Sequence, residues 1–135
     1  MARTLSRKVD SMEYDGLISG LTPETKVAGG TIRKLAEAAT YVRGTILAKS
    51  SGDSGDGKLV ILGTEAGGDE TLTPDCILAD DVEVGTDEDV NVAVYDMGCF
   101  NPDKLTVKDS YEITEADKDA LRVRGIFLTP ASPAV

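Results

Sequence analysis

Val90-Asn91-Val92-Ala93-Val94-Tyr95-Asp96-Met97-Gly98-Cys99-Phe100-Asn101 is the stretch on which the fold class turns. Val90, Val92 and Val94 alternate with Asn91, Ala93 and Tyr95. One face is therefore apolar and the other mixed, the period-two signature of a half-buried strand. The reading predicts a strand over Val90–Asp96. Gly85-Thr86-Asp87-Glu88 supplies the turn before it, leading back to a short run at Val82–Val84.

Outward from this stretch the same texture repeats. From Lys26 on, short apolar runs alternate with Gly- and Asp-rich breaks, an all-β pattern. Further strands are expected at Lys26–Ile32, Tyr41–Lys49, Lys58–Leu62, Asp75–Ala79 and Ile126–Thr129, with a Gly/Asp loop at Ser51–Gly57. Thr31–Thr40 carries Leu35, Ala36, Ala38 and Ala39 and is a helical candidate with poor capping. A second helix is better signed. Thr114 can take the free N–H of Asp117. Glu115 and Asp117 sit where the helix dipole favours acid, and Arg122 and Arg124 where it favours base. Gly125 supplies a stop. The expectation is a short helix Glu115–Val123 followed by a closing strand, hence a mainly β domain with one short α-helix near the C-terminus.

Residues 1–23 have a different texture. Charged residues are interspersed with single apolar ones, and Gly16, Gly20 and Pro23 interrupt any long element. They are expected to form an extended N-terminal arm that is ordered by a partner. Residues 24–135 would then be one β-rich domain, since 135 residues fit a single domain. With two Phe, four Tyr and no Trp, its core must be built from Val, Ile, Leu and Ala.

Charge narrows the partners. Net charge is −10, and Leu59–Asp103 contains 12 acidic residues and no Lys or Arg. A surface of this kind repels phosphate, so nucleic acid is not an expected partner. The acidic middle reads as a solvated face that keeps the protein soluble; a sharper reading has it facing solvent while the flanks face a partner. No run approaches the ~18 apolar residues of a membrane helix, so no membrane is expected. Met1 is followed by a polar, charged start and not by a signal peptide. Synthesis in a reducing cytoplasm is expected, with Cys76 and Cys99 as buried thiols.

Candidate chemistry fails at each point. The chain has no His, the usual general base and metal ligand. Gly52-Asp53-Ser54-Gly55 spells the surroundings of a serine nucleophile, but nothing is present to deprotonate that serine. Asp53 and Asp56 lack the spacing of a calcium loop. Asp80-Asp81 and Asp87-Glu88-Asp89 lie among turn residues, outside any cleft that would split their pKa values. Cys76 and Cys99 have no basic neighbour in sequence and are too few for zinc. The expectation is a non-enzyme with no cofactor and no metal.

An ordered series of short motifs is more specific. Tyr41-Val42-Arg43-Gly44-Thr45-Ile46-Leu47-Ala48-Lys49 is followed by a Gly-rich hairpin. Next come Thr73-Pro74-Asp75-Cys76-Ile77-Leu78-Ala79-Asp80-Asp81-Val82, then Val92–Asn101, then the helix and Arg124-Gly125-Ile126. Gly44 and Gly98 stand where a β chain bends or lets a second backbone approach, and Pro74 suits a strand start rather than its middle. Over roughly Lys26 to Leu128 this order resembles the lambda head decoration protein D family of tailed phages. The Arg33–Thr40 segment, longer than a tight turn, is a departure.

The resemblance implies a β-tulip-like small barrel or sandwich. It also implies a structural virion protein that binds the outer surface of the expanded capsid as homotrimers and stabilises the head against DNA pressure. The partner would be the major capsid protein, contacted by the N-terminal arm through added strand pairing. Met12, Tyr14, Leu17 and Ile18 are the candidate contact residues, chosen from position and composition. Another virion β domain, of a tail or baseplate, and a small ligand-binding β-barrel are the alternatives.

Overall fold

Residues 16–20 and 23–129 are described by a computed structural model of the chain. In order they form β1 (Ile18–Gly20), β2 (Lys26–Ile32), β3 (Ala39–Tyr41), β4 (Ile46–Gly52), β5 (Leu59–Ile61), β6 (Glu70–Leu78), β7 (Val82–Val84) and β8 (Val90–Phe100). A 3-10 turn at Pro102–Lys104, helix α1 (Glu115–Arg124) and β9 (Ile126–Leu128) follow. The protein is mostly β, with one short helix near its C-terminal end.

β8 organises the rest. Along one edge it pairs antiparallel with β2, and at Tyr95 and Val94 it pairs with β6 on the other. β6 continues to β4, β4 to β5, and β5 back to β2, so β8, β2, β5, β4 and β6 close into a small barrel. The β2–β5 seam is parallel and rests on one register position, Ile32 opposite Leu59. From Gly98 onward β8 changes neighbours, pairing with β1 and β9 instead. β3 and β7 form a separate two-stranded ribbon.

Where β4, β5 and the end of β6 meet, both faces of the barrel wall are buried, which explains the nearly continuous apolar runs at Ile46–Ala48 and Cys76–Leu78. Leu47, Leu59, Cys76, Leu78 and Val94 belong to one core cluster, completed by Ile32 and by Tyr41 and Val84 from the β3–β7 ribbon. Their strand neighbours Ile46, Ala48, Val60, Ile77 and Tyr95 point the other way, into a second cluster with Leu17, Phe100, Leu121 and Ile126. Period-two alternation assigns each residue to its cluster. The second cluster is covered by α1, whose one buried residue is Leu121.

The helix forms as its signals predict. The Thr114 hydroxyl accepts the Asp117 N–H, the Asp117 carboxylate accepts the Thr114 N–H, and Gly125 caps the end in the left-handed region. It runs one residue past the predicted end.

Three expectations are corrected. Thr31–Thr40 is not helical: Thr31 and Ile32 complete β2, and Ala39–Tyr41 is β3. The intervening N–H groups bond outward, Arg33 to Leu59 O, Leu35 to Gly85 O and Lys34 to the Asp89 carboxylate, so other segments outcompete a local helix. The predicted strand Tyr41–Lys49 is two strands, broken by a turn in which Thr45 N bonds Val42 O at 3.1 Å and Gly44 takes φ +97°. Pro74 lies in the middle of β6. It is tolerated because Leu47 faces Cys76 while Ala48 faces Pro74, leaving Asp75 as the extra residue of a bulge where a missing N–H breaks no ladder.

Candidate functional site

The residues that suggested chemistry are scattered. Asp53, Ser54 and Gly55 form the tip of the β4–β5 hairpin, with Asp53 and Ser54 exposed and Gly55 N bonded to Gly52 O at 3.1 Å. Asp81 accepts the Arg43 backbone N–H at 2.7 Å. Both cysteines are free and buried, and burial pushes the Cys76 thiol far above its ordinary range. The Cys99 sulfur lies 3.5 Å from the Ser19 hydroxyl. Among the described residues no group of three or more Cys, Asp or Glu side chains is placed to hold a metal ion. Nothing in this set brings a nucleophile, a base and a pocket together.

Two poles of the molecule carry the organised features. At the pole where β8 begins, the hairpin tip, the Glu65–Glu70 loop and the Gly85–Asp89 loop bring together eight acidic residues. Arg33 ties them together. Its Nε and Nη2 donate to the two Asp56 carboxylate oxygens at 2.8 and 2.9 Å, and Nη2 also donates to Glu70 Oε2 at 2.5 Å. Glu70 further accepts the Ser50 hydroxyl at 2.5 Å and the Gly67 N–H at 3.1 Å. The Ser50 bond, then Arg33, then the Gly67 N–H hold the Glu70 carboxyl down to about 2. Arg33 likewise holds Asp56 well below the usual carboxylate range. Lys58 pairs with Asp89 at 2.6 Å, which lowers that carboxyl as well. Strand β2, both loops and the hairpin are thereby locked as one acidic cap. Arg33 carried no signal of this role in the sequence, because its partners lie 23 and 37 residues away.

At the opposite pole the chain enters and leaves the fold. β1 runs antiparallel to β8 with Ile18 opposite Phe100, and β9 runs parallel with Leu128 opposite Phe100. The chain therefore arrives and departs on either side of one strand. Of the four arm residues proposed for contact, Met12 and Tyr14 lie outside the described residues. Leu17 is 2% exposed and belongs to the core, and Ile18 is half-buried in β1. The Asn101 N–H bonds Leu17 O at 2.7 Å, so the chain is anchored to the domain at Leu17, within the segment expected to form the arm. Gly44 lies beside Leu17: a Cβ there would make an ordinary 3.4 Å contact with Leu17 Cδ1.

A third feature braces the barrel wall. Arg43 Nη1 donates to Ala79 O at 3.2 Å and to the Tyr95 hydroxyl, and its guanidinium carbon lies 5.2 Å above the Tyr95 ring. This fixes the turn after β3 against β6 and β8.

The arrangement offers surfaces and edges for binding, with no chemistry-bearing cleft among the described residues. No curated protein matches the sequence. The family model described as bacteriophage lambda head decoration protein D matches residues 10–126, which spans the whole barrel, α1 and part of the segment before β1. With that match added to the motif order and the small barrel, the chain belongs to the bacteriophage lambda head decoration protein D family.

Proposed function

We propose that this chain is a structural virion protein that binds the outer surface of the expanded phage capsid as trimers and strengthens the head against the pressure of packaged DNA. The observation that carries the proposal is the family match over residues 10–126, which reaches into the segment before β1 as well as the domain. The polarity of the fold supports an orientation. The pole where the chain enters and leaves faces the capsid, and the acidic cap locked by Arg33 faces solvent. The segment preceding Gly16, with Met12 and Tyr14, supplies the main capsid contact by adding a strand to the major capsid protein. Binding energy summed over many copies does the work, with no catalysis, cofactor or metal. The protein is made in the host cytoplasm and ends on the virion exterior.

Co-sedimentation tests this. Expanded shells lacking the protein and unexpanded shells are each mixed with the purified chain, and the pellets are quantified. Saturable binding to expanded shells alone, at three copies per three-fold site, is expected. Absence of binding to both would overturn the assignment and favour a tail or baseplate role.

A further inference from the structure

Asp-Gly is the pair in a protein chain most prone to close on itself, because glycine places no side chain over its own N–H and leaves that backbone free to turn. The pair occurs at Asp15–Gly16 and at Asp56–Gly57, and the second lies wholly within the described residues, in the β4–β5 hairpin. Asp56 and Gly57 are both exposed, so water reaches them. The reaction open to such a pair is internal. The Gly57 nitrogen attacks Cγ of the protonated Asp56 carboxyl. The new N–Cγ bond closes a succinimide ring, and the carboxyl OH leaves as water with the Gly57 proton. Water then opens the ring at either carbonyl. Opening at Cγ restores aspartate. Opening at the Asp56 main-chain carbonyl leaves the chain running through Cγ, an isoaspartyl link with an extra carbon in the backbone.

In the folded hairpin both reacting groups are held. The Asp56 carboxylate oxygens accept from Arg33 Nε at 2.8 Å and Nη2 at 2.9 Å, and Oδ1 also accepts the Lys58 N–H at 3.0 Å. The nucleophile is engaged too, since Gly57 N donates to Ser50 O at 3.1 Å. Asp56 N donates to the Ser50 hydroxyl at 3.3 Å. Ser50 is 1% exposed and its N–H bonds Lys58 O at 2.9 Å, so the anchor is part of the barrel wall. Turning Cγ onto Gly57 N breaks the Arg33 fork, a paired charge-assisted contact, and the Lys58 bond with it. We propose that Asp56–Gly57 is a latent succinimide-forming site and that Arg33 is the residue that keeps it closed. Arg33 also holds the Asp56 carboxyl well below the usual carboxylate range, and so in the ionised form, whose oxygen is the poorer leaving group. Conversion to isoaspartate moves the free carboxylate from Cβ to Cα, away from the fork, and so releases the hairpin from β2. Capsid decoration plays no part in this chemistry.

The test incubates the full chain at physiological temperature and neutral pH for several weeks and then digests it with trypsin. Cleavage after Lys49 and Lys58 releases Ser50–Lys58. Chromatography with fragment mass spectrometry separates the isoaspartyl form at position 56 from the aspartyl one. A synthetic Ser50–Lys58 peptide gives the unclamped rate. Wild type is expected to convert at least about tenfold more slowly than the peptide, the scale of one charge-assisted hydrogen bond. Arg33→Gln is expected to recover much of the peptide's rate with the domain still folded by circular dichroism. Arg33→Lys, which keeps the charge and lacks the fork, is expected to fall between them. Leu17→Ala loosens the opposite pole, controls for general loosening, and is expected to convert at the wild-type rate. Wild type converting as fast as the peptide, both Arg33 variants converting at the wild-type rate, or Leu17→Ala matching Arg33→Gln each overturns the clamp. If Arg33→Gln does not fold, Arg33→Lys and the peptide comparison decide.

Discussion

Ile18 and Leu128 stand level with each other on opposite edges of β8, each opposite Phe100. Two strand spacings put them roughly 10 Å apart. The entry and exit of the chain are thus one structural feature, and the interior contact beneath it is Leu17.

This separates two kinds of truncation. Removing residues 1–15 should leave the urea midpoint nearly unchanged while abolishing shell binding. Extending the deletion through Gly20 removes Leu17 and β1 and should destabilise the domain. Leu17→Ala in the full chain should cost about 2–5 kcal/mol, as for other buried leucines. Urea unfolding followed by circular dichroism measures both. A Leu17→Ala variant as stable as wild type would show that the β1 segment is not docked.

The acidic cap makes stability depend on pH in one direction. Glu70 has an ordinary pKa of 4.5 and is held at about 2 in the fold, chiefly by Ser50 and Arg33. A carboxyl depressed by folding contributes stability that is complete above its unfolded value and is lost as pH falls toward its folded one. Asp56 and Asp89 shift in the same direction. The melting temperature should therefore fall between about pH 4.5 and 2. Glu70→Gln should lower it by several degrees at pH 7 and flatten its slope across that window. A Gln variant with the same slope as wild type would mean the cap is not formed.

Gly44 is required on two counts. Its φ is +97°, and a Cβ would approach Lys104 O to 2.7 Å, beside the bond from Thr106 N to Gly44 O. Gly44→Ala should cost about 1–3 kcal/mol from backbone strain alone. Thermal unfolding checks it, and the neighbouring Val42→Ala, at an exposed position, should shift far less.

Cys76 should be inert in the native protein, because burial disfavours its thiolate. Maleimide labelling followed by mass spectrometry should find it unmodified until denaturant is added. Rapid native labelling would contradict its place in the barrel interior.

Residues with short-range causes were readable in advance. The Thr114–Asp117 box and the Gly125 cap need only four or five neighbouring residues, and the helix forms where they place it. The alternation at Val90–Val94 likewise assigns that strand its two faces. β2 was also readable, since its predicted and observed spans coincide at Lys26–Ile32. Where long-range partners decided, local reading failed. Ala36, Ala38 and Ala39 favour a helix, yet Lys34 and Leu35 bond to Asp89 and Gly85. Pro74 looks like a strand start, yet the bulge opposite Leu47 and Ala48 admits it to mid-strand.

By itself, then, the sequence determined a mainly β chain with one capped helix, no histidine-based chemistry, a separate-looking N-terminal segment and the order of motifs that marks its family. Each of these depends on residue type and short spacing. Tertiary structure alone decided that β8 closes a barrel with β2 and β6, that Leu17 belongs to the core, and that Arg33 gathers Asp56 and Glu70 into one cap. These depend on residues tens of positions apart, and only the closing of the barrel, by burying the shared apolar faces of its strands, brings them together.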